Sequence, residues 1–555
     1  MDWLKITASK RDDNSKLYSR MDADRNMAVA SAYVMKNLKG NKADDVANVT
    51  LPEPKAFLEK CCARLIQLQR QVVVDSDTMD GRKLRTIENF INDVDYEADM
   101  RLARKGQKDK FAQLSEFVCL RGPIAEQILT RVDGDRYIAD KRVLDTRFFL
   151  YEASEDGVWW GAPTMLRSAL DIEKEYGVVI QGDSAEVMDC WDENEEVVFI
   201  DGKEVKRQSN PYGFAPFIVQ IPASGLSIQE KDYMHYRGES IYSLLRNHNG
   251  DSIFDEANFC ASIMKTMSFA NIKPALQYKS DAGENKDIEE YPGDPGTVTP
   301  VEKNGGGLEL TPFRDVTNAT RIYKQIIDIN KQLATYTILD FGTTTMPLSG
   351  TAMSKLSNNK NELLLNRLNA IAFLLQQDAY MTIKQFPTGR SINIGEEGHR
   401  KSYTQSDLDG EYSIKYKFSS NDIEELSKMV IVAGGLRGIY SEDTIREKYL
   451  DIEDPKGEAQ KIESEKLAAE NEVIANYRKL HALIYEAEVD ESKNLEAWIV
   501  LEKLVNLIER TRLDASVPLS EEPNKKEVGA NTNPLAALFN QKGGGETQPQ
   551  EAIDE

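Results

Sequence analysis

Two stretches of the chain carry apolar residues in one and the same repeat. Ile253, Ala257, Cys260, Met264 and Met267 follow one another at intervals of 4, 3, 4 and 3, and so do Ile322, Ile326, Ile329, Leu333 and Tyr336. An α-helix is the backbone form that gathers such a series on one face. Between the two stretches stand Pro292, Pro295, Pro300, Pro312 and the run Gly305-Gly306-Gly307, which interrupt helix and favour turns. The spacing predicts long helices over 240–272 and 316–339, the first ended by Pro274. They would lie side by side as one rod with a small β insertion at its tip.

Other segments read more locally. Residues 53–130 have a helical texture, with Phe57, Cys61, Leu65 and Leu68 on one face and a continuation through 86–99. A short helix is expected around 25–39 in an otherwise polar start. From 130 to 225 the pattern turns to α+β. Strands are expected at 147–151, 178–180 and 197–200, the last leading through Asp201-Gly202 into Lys203-Glu204-Val205; Asp-Gly between strand-like runs specifies a tight hairpin. A breaker-rich loop, Gly342 to Gly350, precedes a third long helix over 352–384 with Leu364, Leu368, Ile371 and Leu375 on one face. Tyr412, Ile414, Tyr416 and Phe418 alternate as a half-buried strand does. Helices are expected over 421–434, from a Ser441 cap, from Asp454-Pro455, and then with stripes Val473, Tyr477, Leu480, Ile484 and Trp498, Leu501, Val505, Ile508. Beyond about 514 the composition predicts a disordered tail, broken by the apolar run Pro534-Leu535-Ala536-Ala537-Leu538-Phe539.

Composition narrows the function. The chain has 555 residues, 41% of them hydrophobic, enough for real cores, and a formal net charge of −23. Proteins that grip duplex DNA neutralise phosphates with Lys and Arg, so any DNA contact here is local, or the surface repels the polymer and lets it slide. No apolar stretch approaches the roughly 20 residues that span a bilayer, and Met1 to Asp13 is no signal region; a soluble protein that stays in the cytoplasm where it is made is expected. The cysteines Cys61, Cys62, Cys119, Cys190 and Cys260 are odd in number and form no C-x-x-C pair, which points to buried free thiols.

The usual catalytic signatures are missing. There is no G-x-x-x-x-G-K-[ST] phosphate loop and no G-x-S-x-G elbow. His235, His248, His399 and His481 lack metal-ligand spacing. The Asp75–Gly81 stretch misses two positions of a calcium loop. Asp93, Asp95, Glu97 and Asp99 read as a solvated helix face rather than a nuclease carboxylate set. No cofactor and no catalytic residue is expected.

The order of parts resembles the portal proteins of tailed double-stranded-DNA phages. Local stretches that carry the resemblance are Pro211-Tyr212-Gly213-Phe214-Ala215-Pro216-Phe217 before the first long helix and Ser349-Gly350-Thr351-Ala352-Met353, similar to an S-G-x-A turn. To these are added Ala433-Gly434-Gly435-Leu436 with Ile439 to Thr444, and the acidic run Ile452 to Glu458 followed by Lys461-Ile462-Glu463. The resemblance spans about 55–510. It implies a mainly α fold with α+β parts, in the portal architecture of wing, helical stem, small β-rich clip and helical crown. Mapped onto the chain, this gives an N-terminal arm 1–52, an α/β wing 53–239, a first stem helix 240–274, a clip 275–312 and a second stem helix 313–340. A tunnel loop 341–351, a long helix and wing 352–440, a helical crown 441–514 and a disordered tail 515–555 complete it.

The same resemblance implies a non-enzymatic subunit of a homo-oligomeric ring of about twelve copies at one capsid vertex of the virion. Genome packaging and ejection would pass through it. Its partners would be the major capsid protein, the terminase, later a head-tail connector or adaptor, and double-stranded DNA held without sequence preference; no membrane is involved. DNA-facing positions would be Thr343, Thr344, Thr345, Met346, Ser349, Thr351, Lys355 and Lys360. Docking positions on the clip would be Glu289, Glu290, Tyr291, Asp294, Glu302 and Lys303. The alternatives are another head-tail connector or virion assembly protein and, further off, a DNA-packaging enzyme.

Overall fold

The computed structural model describes residues 2–222, 238–246, 252–272, 276–279, 307–310, 317–333, 350–450, 472–487 and 493–515, apart from short gaps in the longest stretches, with isolated positions in 459–471. The chain divides into two units, Met1–Lys428 and Met429–Glu555. The fold is mainly α with α+β parts.

The chain opens with two helices, α1 (Trp3–Asp13) and α2 (Ser15–Ala28). The helix expected at 25–39 therefore lies earlier; Ala30 takes a left-handed φ of 50° and ends it. Apolar residues are sparse here, so the periodicity is faint, but Trp3, Tyr18 and Met21 are all buried. After α3 (Glu53–Ile66), a strand that the helical texture concealed, β1 (Gln69–Asp75), pairs antiparallel with β14 (Ser413–Ser419). Val72 and Val74 are buried by that pairing, a partner more than 300 residues away that no local pattern announces. The helices α4 (Gly81–Arg104) and α5 (Lys110–Leu120) follow.

Two five-stranded sheets form the α+β part. The first runs β13-β12-β3-β2-β9, with β2 (Ile124–Asp133) and β3 (Arg136–Leu144) at its centre and β9 (Phe217–Gln220) on one edge. Short strands β12 (Ile392–Ile394) and β13 (Lys401–Tyr403) form the other edge. The second runs β4-β5-β6-β7-β8, through β4 (Phe149–Ser154), β5 (Gly157–Ser168), β6 (Ser184–Trp191), β7 (Glu195–Ile200) and β8 (Lys203–Ser209). The turn between β7 and β8 is Asp201-Gly202, at φ 47° and 74°, as the Asp-Gly pair requires. Val178 to Ile180 is not a strand: α6 (Ala169–Tyr176) ends at Gly177, and the segment after it is irregular and leaves Val179 exposed.

Side chains explain the layering. Trp3, Tyr18 and Met21 cover one face of the second sheet against Leu150, Trp160, Met188 and Val197, and Ile172 of α6 packs on Val187, Val198 and Ile200. Phe149 of the second sheet meets Phe217 of the first, ring centroids 5.0 Å apart. Gly161 permits that contact, because a Cβ there would stand 2.5 Å from the Phe217 ring. The proline-flanked segment is part of the same junction: the Tyr212 hydroxyl donates to the Thr130 carbonyl at 2.9 Å and accepts from its N–H at 3.1 Å.

The long helix Gly350–Lys384 crosses the first unit. Its expected face is the buried one: Leu364, Ile371 and Leu375 are buried with Phe57, Leu65, Phe111 and Leu114 of α3 and α5. All five cysteines are buried, and none forms a disulfide. In the second unit, Ser441 caps the helix Glu442–Lys448 by accepting from the Thr444 N–H. Two further helices, Glu472–Ala487 and Lys493–Ala515, pair with each other. Their expected stripes are buried only in part, at Leu480 and, packed against the same seam, Val473. Tyr477, Ile484, Trp498, Leu501, Val505 and Ile508 are exposed, while Leu480, Leu483, Ala497, Val500 and Leu504 form the seam. The start at Asp454-Pro455 and the tail after 515 lie outside the described residues.

Candidate functional site: a helical hairpin and its buried anchor

The helix Ile253–Ile272 is followed by β10 (Leu276–Lys279), and β11 (Gly307–Leu310) is followed by the helix Thr317–Leu333. The two strands pair antiparallel, Leu276 opposite Leu310, so the chain leaves on one helix and returns on the other. The two helices meet at the first turn of the first one. The Tyr323 hydroxyl donates to Glu256 Oε2 at 2.7 Å, which together with burial pushes that phenol up to about 12. Nearer the end of the second helix, the Lys331 ammonium pairs with Glu53 and stands 5.8 Å from the Phe254 ring centroid. The first helix is shorter than expected: residues 240–246 hold only a single 3-10 turn, and the α-helix begins at Ile253.

The first helix buries a polar stripe that its apolar periodicity hides. Asn258 and Ser262 are buried, and Asn258, Ser262 and Thr266 recur every four residues. Their side-chain oxygens accept the backbone N–H groups of Leu51 (2.8 Å), Val49 (2.9 Å) and Ala47 (3.0 Å). The hydroxyls of Ser262 and Thr266 donate in turn to carbonyls four residues back, Asn258 and Ser262. An extended segment is thus zipped onto a helix, alternate amides matching successive helical turns. The rise explains the fit: two residues of strand and four of helix both advance about 6 Å.

The second helix turns its apolar stripe away from the chain. Ile327 and Lys331 are buried, whereas Ile322, Ile326 and Ile329 are 54%, 48% and 60% exposed. At 3.6 residues per turn these two sets lie about half a turn apart. On the first helix Met264 and Phe269 are likewise more than half exposed. The hairpin therefore carries apolar side chains outward on both helices.

The body that holds the hairpin and the long helix is pinned by a buried ionic cluster. Lys110 of α5 and Lys141 of β3 reach Asp95 of α4 at 3.0 and 2.7 Å; Lys141 reaches Asp378 of the long helix at 2.8 Å, and Lys110 pairs with it too. Arg70 of β1 approaches Asp99 at 3.3 Å. Glu126 of β2 lies 3.7 Å from the Lys110 ammonium, is fully buried, and neither of its carboxylate oxygens has a hydrogen-bond partner among the described residues. Burial first, then Asp378 beside it, push the Glu126 carboxyl up to about 8. Burial alone would also raise Asp95, but Lys110, Lys141 and Arg70 outweigh it and hold its carboxyl far below the usual range. With Glu126 protonated, three cations face three carboxylates and the cluster is neutral.

This corrects the reading of 93–99. Asp95 and Glu97 are buried, Glu97 paired to Arg136 at 2.8 Å, and Asp93 accepts from the Tyr403 hydroxyl. Their partners Lys110, Lys141, Arg136 and Tyr403 come from elsewhere in the chain, so spacing within 93–99 could not reveal them. Of the DNA-facing and docking residues expected from the sequence, only three fall among the described residues. Thr351, Lys355 and Lys360 stand on the first turns of the long helix. Thr343, Thr344, Thr345, Met346 and Ser349, and Glu289, Glu290, Tyr291, Asp294, Glu302 and Lys303, lie outside the described residues. Among the described residues no cluster of His, Cys, Asp and Glu is arranged to hold a metal, and no helix is long and apolar enough to cross a membrane.

No family model matches the chain, and no curated protein matches it in sequence. Among solved structures it is similar to a chain from the neck of an empty gene transfer agent particle, computed with C6 symmetry: 11% identity over 71% of this chain and 89% of that one, TM-score 0.36. It is also similar to a chain from the neck of the native particle, computed with C12 symmetry: 13% identity over 65% and 87%, TM-score 0.33. A third is a chain from the virion of the native particle, 11% identical over 65% and 87% at TM-score 0.31.

Proposed function

We propose that this chain is the portal subunit of a tailed, double-stranded-DNA phage or a particle derived from one: a ring-forming conduit for the genome and not an enzyme. The observation that carries the reading is the outward stripe of Ile322, Ile326 and Ile329 on a helix–β–helix hairpin. A water-facing stripe of three isoleucines is costly in a lone subunit. The hairpin supplies its own complement, since Met264 and Phe269 of the other helix are exposed as well. Packing the second helix of one copy on the first helix of the next is a head-to-tail contact, and such contacts close into rings when the rotation allows.

In this reading the hairpin is the stem, the region around β10 and β11 is the clip, and 343–351 with Lys355 and Lys360 faces the channel. Short hydroxyls in that loop suit a sliding polymer, and the net charge of −23 discourages tight phosphate binding. The clip acids Glu289, Glu290, Asp294 and Glu302, with Tyr291 and Lys303, would dock a terminase and later a connector. The ionic cluster would keep the long helix fixed relative to the wing while DNA moves past its first turns.

The test is assembly. Ile326→Asp and Met264→Asp change exposed positions, so each subunit should keep its fold and its circular dichroism. In a ring either substitution buries an unpaired charge. Size exclusion and negative-stain imaging should show rings for the native chain and single subunits for both variants. A native chain that stays monomeric at every concentration, or variants that form normal rings, would overturn the proposal.

A further inference from the structure

Among the described residues, the helical pair of the second unit has a face with nothing on it. Helices Glu472–Ala487 and Lys493–Ala515 run antiparallel, Lys503 reaching Glu472 at 3.0 Å. Their seam is small: Leu480 and Leu483 against Ala497, Val500 and Leu504. A second apolar stripe follows each helix, Tyr477 and Ile484 on the first, Trp498, Leu501, Val505 and Ile508 on the second, all exposed, with Trp498 at 71%. At about 100° per residue each stripe sits about a quarter turn from its own seam, in the same rotational sense. Because the helices are antiparallel, equal rotations carry both stripes to one side of the pair. Six large side chains make a continuous apolar face, the kind of surface that marks a binding site.

We propose that this face is covered by the chain's own C-terminal segment 533–539, Asn533-Pro534-Leu535-Ala536-Ala537-Leu538-Phe539. The inference concerns the second unit alone and does not rest on the ring. About 40 residues follow Ala515, and 534–539 is the longest run among them without a polar side chain. Asn before Pro is a favoured helix start, and Leu535, Leu538 and Phe539 at three- and four-residue spacing share a face in one helical turn. The polar residues between, Glu521, Glu522, Asn524, Lys525 and Lys526 among them, serve as a tether that stays in water.

Reach decides between this occupant and a second copy. A flexible tether of about 18 residues has a root-mean-square span of about 21–25 Å. The face measures about 15 Å from Trp498 to Ile508 along the helix. A tether whose span matches its target holds the segment at an effective concentration on the order of millimolar. A second copy from solution competes only when the protein itself is that concentrated.

Trp498 reports the outcome. Acrylamide quenching of tryptophan fluorescence is compared between the full chain and its Leu535→Asp/Phe539→Asp variant, each alongside a Trp498→Phe partner so that the Trp498 contribution can be subtracted. Both aspartates lie outside the helical pair, and circular dichroism checks that its helicity is kept. The Trp498 quenching constant should be several-fold lower in the native tail than in the variant, and independent of dilution. Equal quenching in both overturns the proposal. So does shielding that persists in the variant and vanishes on dilution, since a second copy is then the cover. Negative-stain imaging of the same samples reads ring formation separately: absent rings with an intact tail effect count against the portal reading and not against this one.

Discussion

Glu126→Gln isolates the buried cluster's response to pH. Glu126 is fully buried between Lys110, at 3.7 Å, and the carboxylates Asp95 and Asp378, and its carboxyl titrates at about 8 in the folded chain. In the unfolded chain it titrates near 4.5. The folded pKa is raised, so the native state holds the proton more tightly than the unfolded state. Stability from this group is therefore full below pH 4.5 and falls as pH rises toward 8, then levels. At about 1.4 kcal/mol per pH unit, the fall amounts to something on the order of 5 kcal/mol across that window. Glutamine keeps the shape and carries no proton to lose, so the fall disappears in the variant. The other groups facing the site, Asp95 and Asp99 of α4, Lys110, Lys141, Arg70, Asp378 and Tyr416, are common to both chains and cancel in the difference. The assay is hydrogen exchange of the β2 and β3 amides together with thermal midpoints of the full chain from pH 5 to 9. The native chain should lose ground steadily to the variant up to about pH 8. Parallel pH profiles for the two chains would refute the assignment of the proton to Glu126.

Other outcomes are expected from the same geometry. Asp378→Asn leaves Lys110 and Lys141 short of a buried counter-charge and should destabilise the first unit by about 3–5 kcal/mol, read as a lowered thermal midpoint. Ser262→Ala removes the acceptor of the Val49 amide and a donor to the Asn258 carbonyl; it should cost about 1 kcal/mol and speed hydrogen exchange at 47–51 while the sheets are unaffected. Gly161→Val forces side-chain atoms into the Phe217 and Phe149 rings and should lower the midpoint by an amount typical of overpacking, about 1–3 kcal/mol. Ile326→Asp should leave that midpoint unchanged in the isolated subunit while abolishing rings.

The sequence by itself determined the elements whose signals are local. The 4, 3, 4, 3 stripes specified the two hairpin helices, because helical periodicity depends on neighbours within two turns. Asp201-Gly202 specified its hairpin through the backbone conformation it allows, and Ser441 its helix through a hydrogen bond three residues away. The face of the long helix was legible for the same reason, being strongly apolar and buried in its own subunit. What tertiary structure alone decided is which partner each surface meets. Ile322, Ile326 and Ile329, like Tyr477 and Trp498, are apolar, periodic and exposed, and periodicity alone does not separate a stripe turned to solvent from one turned to the core. β1 became a strand because β14 lies beside it, and Asp95 became an internal ion because Lys110, Lys141 and Arg70 converge on it from three other elements. Hydrogen bonds and ion pairs act over a few ångströms of space, and residues that close in space can stand hundreds of positions apart along the chain.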